Sequence, residues 1–245
     1  MFSDYNTPWS EYRAITNEKS NFLRCLQDHT ADLALQNTRT CLSIGPGCGE
    51  SDAFIVSNLM PQLQRYIAVE PDKGNTKELL PRVLEALPVE GRMELYYSCI
   101  EDAIGRVHWP VDVVLLLEVL YYIKDYEALF ERLKRLLKPG SKIVASLLGS
   151  DNDLCKAVEA SGLKKWNDMC KVEELIKSLY PDAMSTYITI PCSTDIKEFT
   201  VGSFSILTAN ADVGEDDLVE FKKLFTGSTI VEYELDIGIF EIKVA

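Results

Sequence analysis

Three groups of residues in this chain have types and spacing suited to holding a small nucleoside-like ligand. Gly45-Pro46-Gly47-Cys48-Gly49 directly follows the apolar run Thr40–Ile44. Glycines there let the backbone approach a ligand closely and adopt conformations closed to other residues. Glu70 ends a second apolar run, Arg65–Val69, and an acidic side chain in that place can accept both hydroxyls of a ribose. The pair Glu101-Asp102 comes shortly after a third run, Met93–Ser98, where a carboxylate can accept from an adenine amino group. A G-x-G-x-G pattern alone is shared by nucleotide sites and structural turns. The stronger signal is that all three groups come in order after successive strand-like runs, where open α/β sheets bind ligands.

The residues after the glycines separate two kinds of ligand. A dinucleotide site favours G-x-G-x-x-G, with the third glycine inside the helix. Here Glu50-Ser51-Asp52-Ala53 follows Gly49. Acidic residues at that helix start repel a pyrophosphate, which needs a bare positive helix end. A cationic group tolerates them. The pattern points to S-adenosylmethionine (SAM), which carries a sulfonium and no phosphate, and whose demethylated product is S-adenosylhomocysteine (SAH).

These residues need strands to carry them and helices to cover the strands. Short apolar runs alternate with longer helix-like segments, the signature of a mostly parallel α/β sheet with helices on both faces. The sequence predicts strands at Thr40–Ile44, Arg65–Val69, Met93–Ser98, Val111–Leu117 and Lys142–Leu148. Predicted helices cover residues 10–36, Ser51–Met60, Asn75–Leu87, Asp125–Leu137, Val172–Leu179 and Asp216–Phe225. Toward the C-terminus, Ser185–Ile190, Thr229–Leu235 and Ile239–Val244 read as strands. The last two are joined through Asp236–Gly238 as an antiparallel edge hairpin. The expected organisation is one domain over 1–245, with an N-terminal helical lid over 1–36 and an inserted substrate-region element over 193–226.

The chain has 245 residues, and 25 Lys+Arg against 38 Asp+Glu give a net charge of −13. A phosphate-backbone binder needs a basic footprint, so nucleic acid is not an expected partner, and neither is an anionic membrane. The seven cysteines are odd in number, irregularly spaced and lack a CxxC pair. Reduced thiols in a cytoplasmic protein are the simpler reading. His29 and His108 are the only histidines, which gives no support to a histidine-based triad or metal site. The N-terminus has neither the basic start nor the apolar stretch of a leader, and no exposed apolar helix face stands out, so a monomer is expected.

SIGPGCGE and VEP at 69–71 resemble the glycine loop and the ribose-binding strand end of class I SAM-dependent methyltransferases. LEVLYYIKD at 117–125, FSD at 2–4 and TNEK at 16–19 are similar to the histamine N-methyltransferase-like subfamily. The resemblance is patchy but runs in order along essentially the whole chain. It implies a Rossmann-like class I methyltransferase sheet with a small substrate-binding or lid region. It also implies that Gly45, Gly47 and Gly49 line SAM, Glu70 holds the ribose, Asn75 lies near ribose or adenine, Asp102 or Glu101 contacts adenine, and Leu117 lies under the cofactor. On the acceptor side it implies Glu18 as an ammonium or imidazole ligand, Tyr121 and Tyr122 as pocket tyrosines, Phe2 as a lid aromatic and Cys170 at the pocket edge.

The chain departs from that subfamily where Glu118 replaces a glutamine, where Asp236 is the nearest match to an asparagine, and around 154–158, where tryptophans are missing. The implied pocket carries up to three carboxylates and fewer aromatic walls, which suits a cationic amine other than histamine. Methyl transfer to an amine requires a neutral nitrogen held in line with the leaving group. Glu18 and Asp236 are expected to grip a remote ammonium, and Glu118 to position the acceptor or act as base. An O- or carboxyl-methyltransferase on another small metabolite, and an inactive SAM-binding protein, are the alternatives.

Overall fold

A computed structural model of the chain describes residues 6–149, 152–162, 169–210, 212–225 and 229–243. Helices α1 (Asn6–Ile15), α2 (Glu18–Asp28) and α3 (Thr30–Leu33) open the fold. Then β1 (Thr40–Ile44), α4 (Glu50–Leu59), β2 (Arg65–Val69), α5 (Lys73–Ala86), β3 (Arg92–Tyr96), α6 (Ile100–Ala103), β4 (Val111–Leu117), α7 (Tyr126–Leu133) and β5 (Leu137–Leu148) alternate. The chain continues through α8 (Asp153–Ala160), α9 (Met169–Leu179), β6 (Met184–Asp195), α10 (Val201–Thr208), α11 (Glu215–Lys223) and β7 (Ile230–Glu241).

The strands form one sheet in the order β3-β2-β1-β4-β5-β7-β6. β1 to β5 run parallel, and β7 pairs antiparallel with both β5 and β6. The order reverses at β1 and β4, which places the ligand crevice beyond their carboxyl ends. β4 shows why the sheet must be covered twice. Val113 and Leu115 join the core on one face, and Val114 and Leu116 the core on the other, so VDVVLLL has no side that water could wet.

The structure revises several expected elements. The segment 10–36 is three helices, interrupted where Thr16 forms an isolated bridge with Thr194. The helix expected over Asp125–Leu137 ends at Leu133, and Lys138-Pro139-Gly140 already belongs to β5. Asp236–Gly238 is no hairpin turn. It lies inside the continuous strand β7, which pairs with β6 from Ile230↔Asp195 to Glu241↔Met184. Gly238 serves packing: an added Cβ would stand 2.8 Å from both Met169 Sδ and the Phe240 ring.

Residues 193–226 hold the end of β6, then α10 and α11. α1 packs on α10. The contact extends into an aromatic group in which Tyr12 meets Phe199 at 6.3 Å and Phe204 meets Phe221 at 4.6 Å. The N-terminal helices and the inserted element therefore lie together, on the face that also holds Tyr233 and Leu235.

Candidate active site

The loop after β1 turns on three residues with left-handed backbone: Gly45 at φ 65°, Gly47 at φ 58° and Gly49 at φ 77°. Two of them are also required by packing. A Cβ on Gly45 would meet Val119 Cγ2 at 2.3 Å, and one on Gly49 would meet Leu79 Cδ1 at 2.4 Å. Gly47 differs, because nothing lies within 4 Å of its added Cβ. Its backbone faces open space that a ligand can enter.

Glu70 is buried at the end of β2. Its Oε2 accepts the Gly47 N–H at 2.9 Å, and its Oε1 accepts the Asp72 N–H at 2.9 Å and Asn75 Nδ2 at 3.5 Å. Burial raises its pKa, and the two backbone donors oppose the rise. The carboxylate thus fixes the loop while keeping acceptor capacity, since two oxygens offer about four lone-pair sites. Glu101 and Asp102 lie exposed on α6, and the Glu101 carbonyl accepts from Arg132 at 2.7 Å. Leu117, the last residue of β4, is half-buried.

Both acids of α4 have partners within the fold. Asp52 turns inward and accepts from the Tyr66 hydroxyl at 2.7 Å. Glu50 pairs with Arg13 at 2.9 Å, and Arg13 also reaches Cys48 Sγ at 3.7 Å. Lys19 donates to Ser51, and Arg82 donates to the Cys48 carbonyl at 2.7 Å. Three cations near the loop are therefore already bonded within the protein. A buried carboxylate at the end of β2, an open glycine backbone and cations already bonded within the protein fit SAM and do not fit a pyrophosphate.

Glu118 follows β4 with φ 54°, and its N–H donates to Ser146 Oγ at 2.9 Å. A non-glycine residue in this conformation marks a site where surrounding structure imposes strain. The next residue, Val119, is the one that abuts Gly45, so Glu118 stands beside the glycine loop.

Glu18 belongs to the buried stripe Glu18, Phe22, Leu26 of α2. Its Oε2 accepts from Tyr233 at 2.9 Å and from Tyr12 at 3.1 Å. Burial, and then the negative charge of Glu118, push its pKa up to about 8, while the two phenols and Lys19 pull the other way. Tyr121 is close enough to feel both carboxylates, and its hydroxyl accepts the Leu148 N–H. Tyr122 is exposed and sits edge-to-face on Tyr121.

The structure thus gathers Glu18, Glu118 and Tyr121 beside the glycine loop. It does not bring Asp236 there. Side chains alternate along a strand, so Asp236 projects from the face of β7 opposite Tyr233, where it accepts from Thr189 Oγ1 at 2.9 Å. Cys170 is exposed on α9, which packs on that opposite face. Phe2 lies outside the described residues. Tyr12, Arg13, Lys19 and Tyr233 are functional candidates that sequence reasoning missed. Tyr233 shares its alternation phase with Val231 and Leu235, so its inward direction was readable. Among the described residues no group of three or more His, Cys, Asp or Glu is placed to hold a metal ion, and no helix is long and apolar enough to cross a membrane.

A mostly parallel sheet, a glycine loop after β1 and an acid ending β2 define a class I, SAM-dependent methyltransferase. The chain belongs to the methyltransferase domain family, whose model matches residues 17–186. No curated protein matches the sequence. Among solved structures, the YcgJ protein of Bacillus subtilis is similar with a TM-score of 0.61 and 10% identity, over 91% of this chain and 99% of that one. The plantazolicin methyltransferase BpumL in complex with SAH has a TM-score of 0.57 and 15% identity, over 97% and 90% of the two chains. A candidate sarcosine dimethylglycine methyltransferase from Galdieria sulphuraria has a TM-score of 0.53 and 12% identity, over 92% and 86%.

Proposed function

We propose that the chain is a small-molecule N-methyltransferase that moves a methyl group from SAM to a nitrogen of a cationic amine, histamine-like or another biogenic amine. The observation that carries this reading is the carboxyl pair. Glu18 is fully enclosed between the N-terminal helices and the sheet, and it faces Glu118 at the end of β4, against the cofactor loop. A buried acid that faces a second, half-buried acid is disfavoured in its charged form unless a cation joins them. An ammonium group supplies that cation.

Gly47 and Glu70 would hold the cofactor, with Gly45 and Gly49 shaping the loop, Asn75 and Leu117 beside it, and Glu101 or Asp102 at its adenine end. Bound there, SAM supplies a methyl group on positively charged sulfur. Glu118, nearest the loop, positions the acceptor nitrogen. Glu18 binds the ammonium, and its raised basicity also suits it to take a proton, a role that sequence reading gave to Glu118. Helices α1 to α3, with α10 and α11 of the inserted element, act together as the cap over the acceptor.

Calorimetric titration of the SAH-loaded protein with arylalkylamines and with alcohols of the same shape tests the reading. Cationic amines should bind and release about one proton at pH 7, because the pair holds one before the cation arrives. Equal affinity for the neutral alcohols would overturn it.

A further inference from the structure

The Glu18 carboxyl is held by a closed ring of hydrogen bonds. The Glu18 N–H donates to Thr16 Oγ1 at 3.1 Å. Thr16 Oγ1 lies 2.5 Å from the Tyr233 hydroxyl, and that hydroxyl donates to Glu18 Oε2 at 2.9 Å. Each hydroxyl has a single proton. Tyr233 can therefore give its own to Glu18 only while it accepts from Thr16, and Thr16 in turn accepts from the Glu18 N–H. The donor order runs one way around the ring and ends on a carboxylate oxygen. Tyr12 adds a second donor to the same Oε2 at 3.1 Å, and Oε1 stands outside the ring. The ring joins α2 to β7, and the Thr16↔Thr194 bridge adds β6.

We propose that Tyr233, aligned by Thr16, is the positioning residue that favours the Glu18 carboxylate over its protonated form and aims its second oxygen at a cationic ligand. The proposal rests on the amine reading for its purpose, but its geometry stands alone. The groups facing Glu18 are Tyr12 from α1, Lys19 from α2, Glu118 after β4, Tyr121 from the turn that follows, Cys192 from β6 and Tyr233 from β7. Burial and Glu118 favour the protonated acid. Tyr233, then Tyr12 and Lys19, favour the carboxylate.

The test titrates the Glu18 carboxyl by carbon-13 NMR in the full-length, SAH-loaded protein. Its signal is assigned by its loss in Glu18→Gln. Tyr233→Phe removes one hydroxyl and little volume, and Thr16→Val breaks the ring at another point if the first variant folds poorly. The Glu18 midpoint should rise by about one pH unit in either variant, because a bond to the charged form is lost. In a turnover assay with the arylalkylamine that binds best in the calorimetric titration as probe, KM should rise about tenfold near pH 7.5, with kcat little changed and the acid limb displaced to higher pH. A folded Tyr233→Phe protein with an unmoved midpoint overturns the positioning role, whatever amines do. A raised midpoint in a protein whose wild type takes no amine supports the positioning role and overturns the amine reading alone.

Discussion

Replacing Glu18 with Gln should change how stability depends on pH. Glu18 is 6% exposed, and burial with the Glu118 charge raises its carboxyl from an ordinary 4.5 to about 8. An acid raised in this way keeps its proton in the folded protein after the unfolded chain has lost it. Its contribution is therefore nil below about pH 4.5, becomes destabilising as pH rises, and levels off above about 8. Between pH 6 and 9 about two pH units of that fall remain, which at about 1.4 kcal/mol each is roughly 3 kcal/mol. For a chain of this size that corresponds to roughly 6–12 °C in Tm. Gln keeps an oxygen for Tyr12 and Tyr233 and does not ionise. Urea unfolding of both proteins at pH 6, 7.5 and 9 measures the difference. The stability gap should widen in favour of Glu18→Gln by roughly 3 kcal/mol from pH 6 to pH 9. Parallel pH dependences would refute the claim that Glu18 is held as a buried acid beside Glu118.

The cofactor loop gives further expectations. Gly47→Ala places a methyl in open space at φ 58°, so thermal stability should fall by only about 1 kcal/mol while SAH affinity by calorimetry drops at least tenfold. Gly49→Ala drives its Cβ to 2.4 Å from Leu79 and should lower stability by about 1–3 kcal/mol whether or not cofactor is present. Glu70→Gln turns an amide toward one of two backbone donors, Gly47 or Asp72. It should weaken both the fold, by about 1–3 kcal/mol, and SAH binding. Arg13→Ala removes a part-exposed pair with Glu50, so stability should change by under about 1 kcal/mol. Proteolytic cleavage within α1 should nevertheless become faster, because α1 loses its tie to the loop.

Much of the sheet was legible because its strands leave little choice. VDVVLLL is too short for a spanning helix and too apolar for a one-sided strand, and the acid after RYIAV marks a strand end where ligands bind. The β6–β7 pair was less legible. Its partners are separated by two helices, and register over so long an interval is set by tertiary packing. That is why Asp236, a plausible turn residue in isolation, turns out to be a strand residue bonded to Thr189. The acceptor pocket was half visible. Glu18 and Glu118 can be named from motifs, but the ring that holds Glu18 depends on a helix break fixed by Thr194, far along the chain. The excess acid is likewise clearer in three dimensions: Asp52 is hydrogen-bonded to Tyr66 and Glu50 is paired with Arg13, while Glu18 and Glu118 face each other.

The most direct test of the account is methyl transfer itself. The protein is incubated with methyl-labelled SAM and a panel of biogenic amines, amino-free alcohols and carboxylic acids, and each labelled product is located by mass spectrometry. Label is expected on nitrogen, in compounds that carry a cationic amine, with loss of that transfer in Glu18→Gln. Label appearing only on oxygen of compounds without an amine would contradict it.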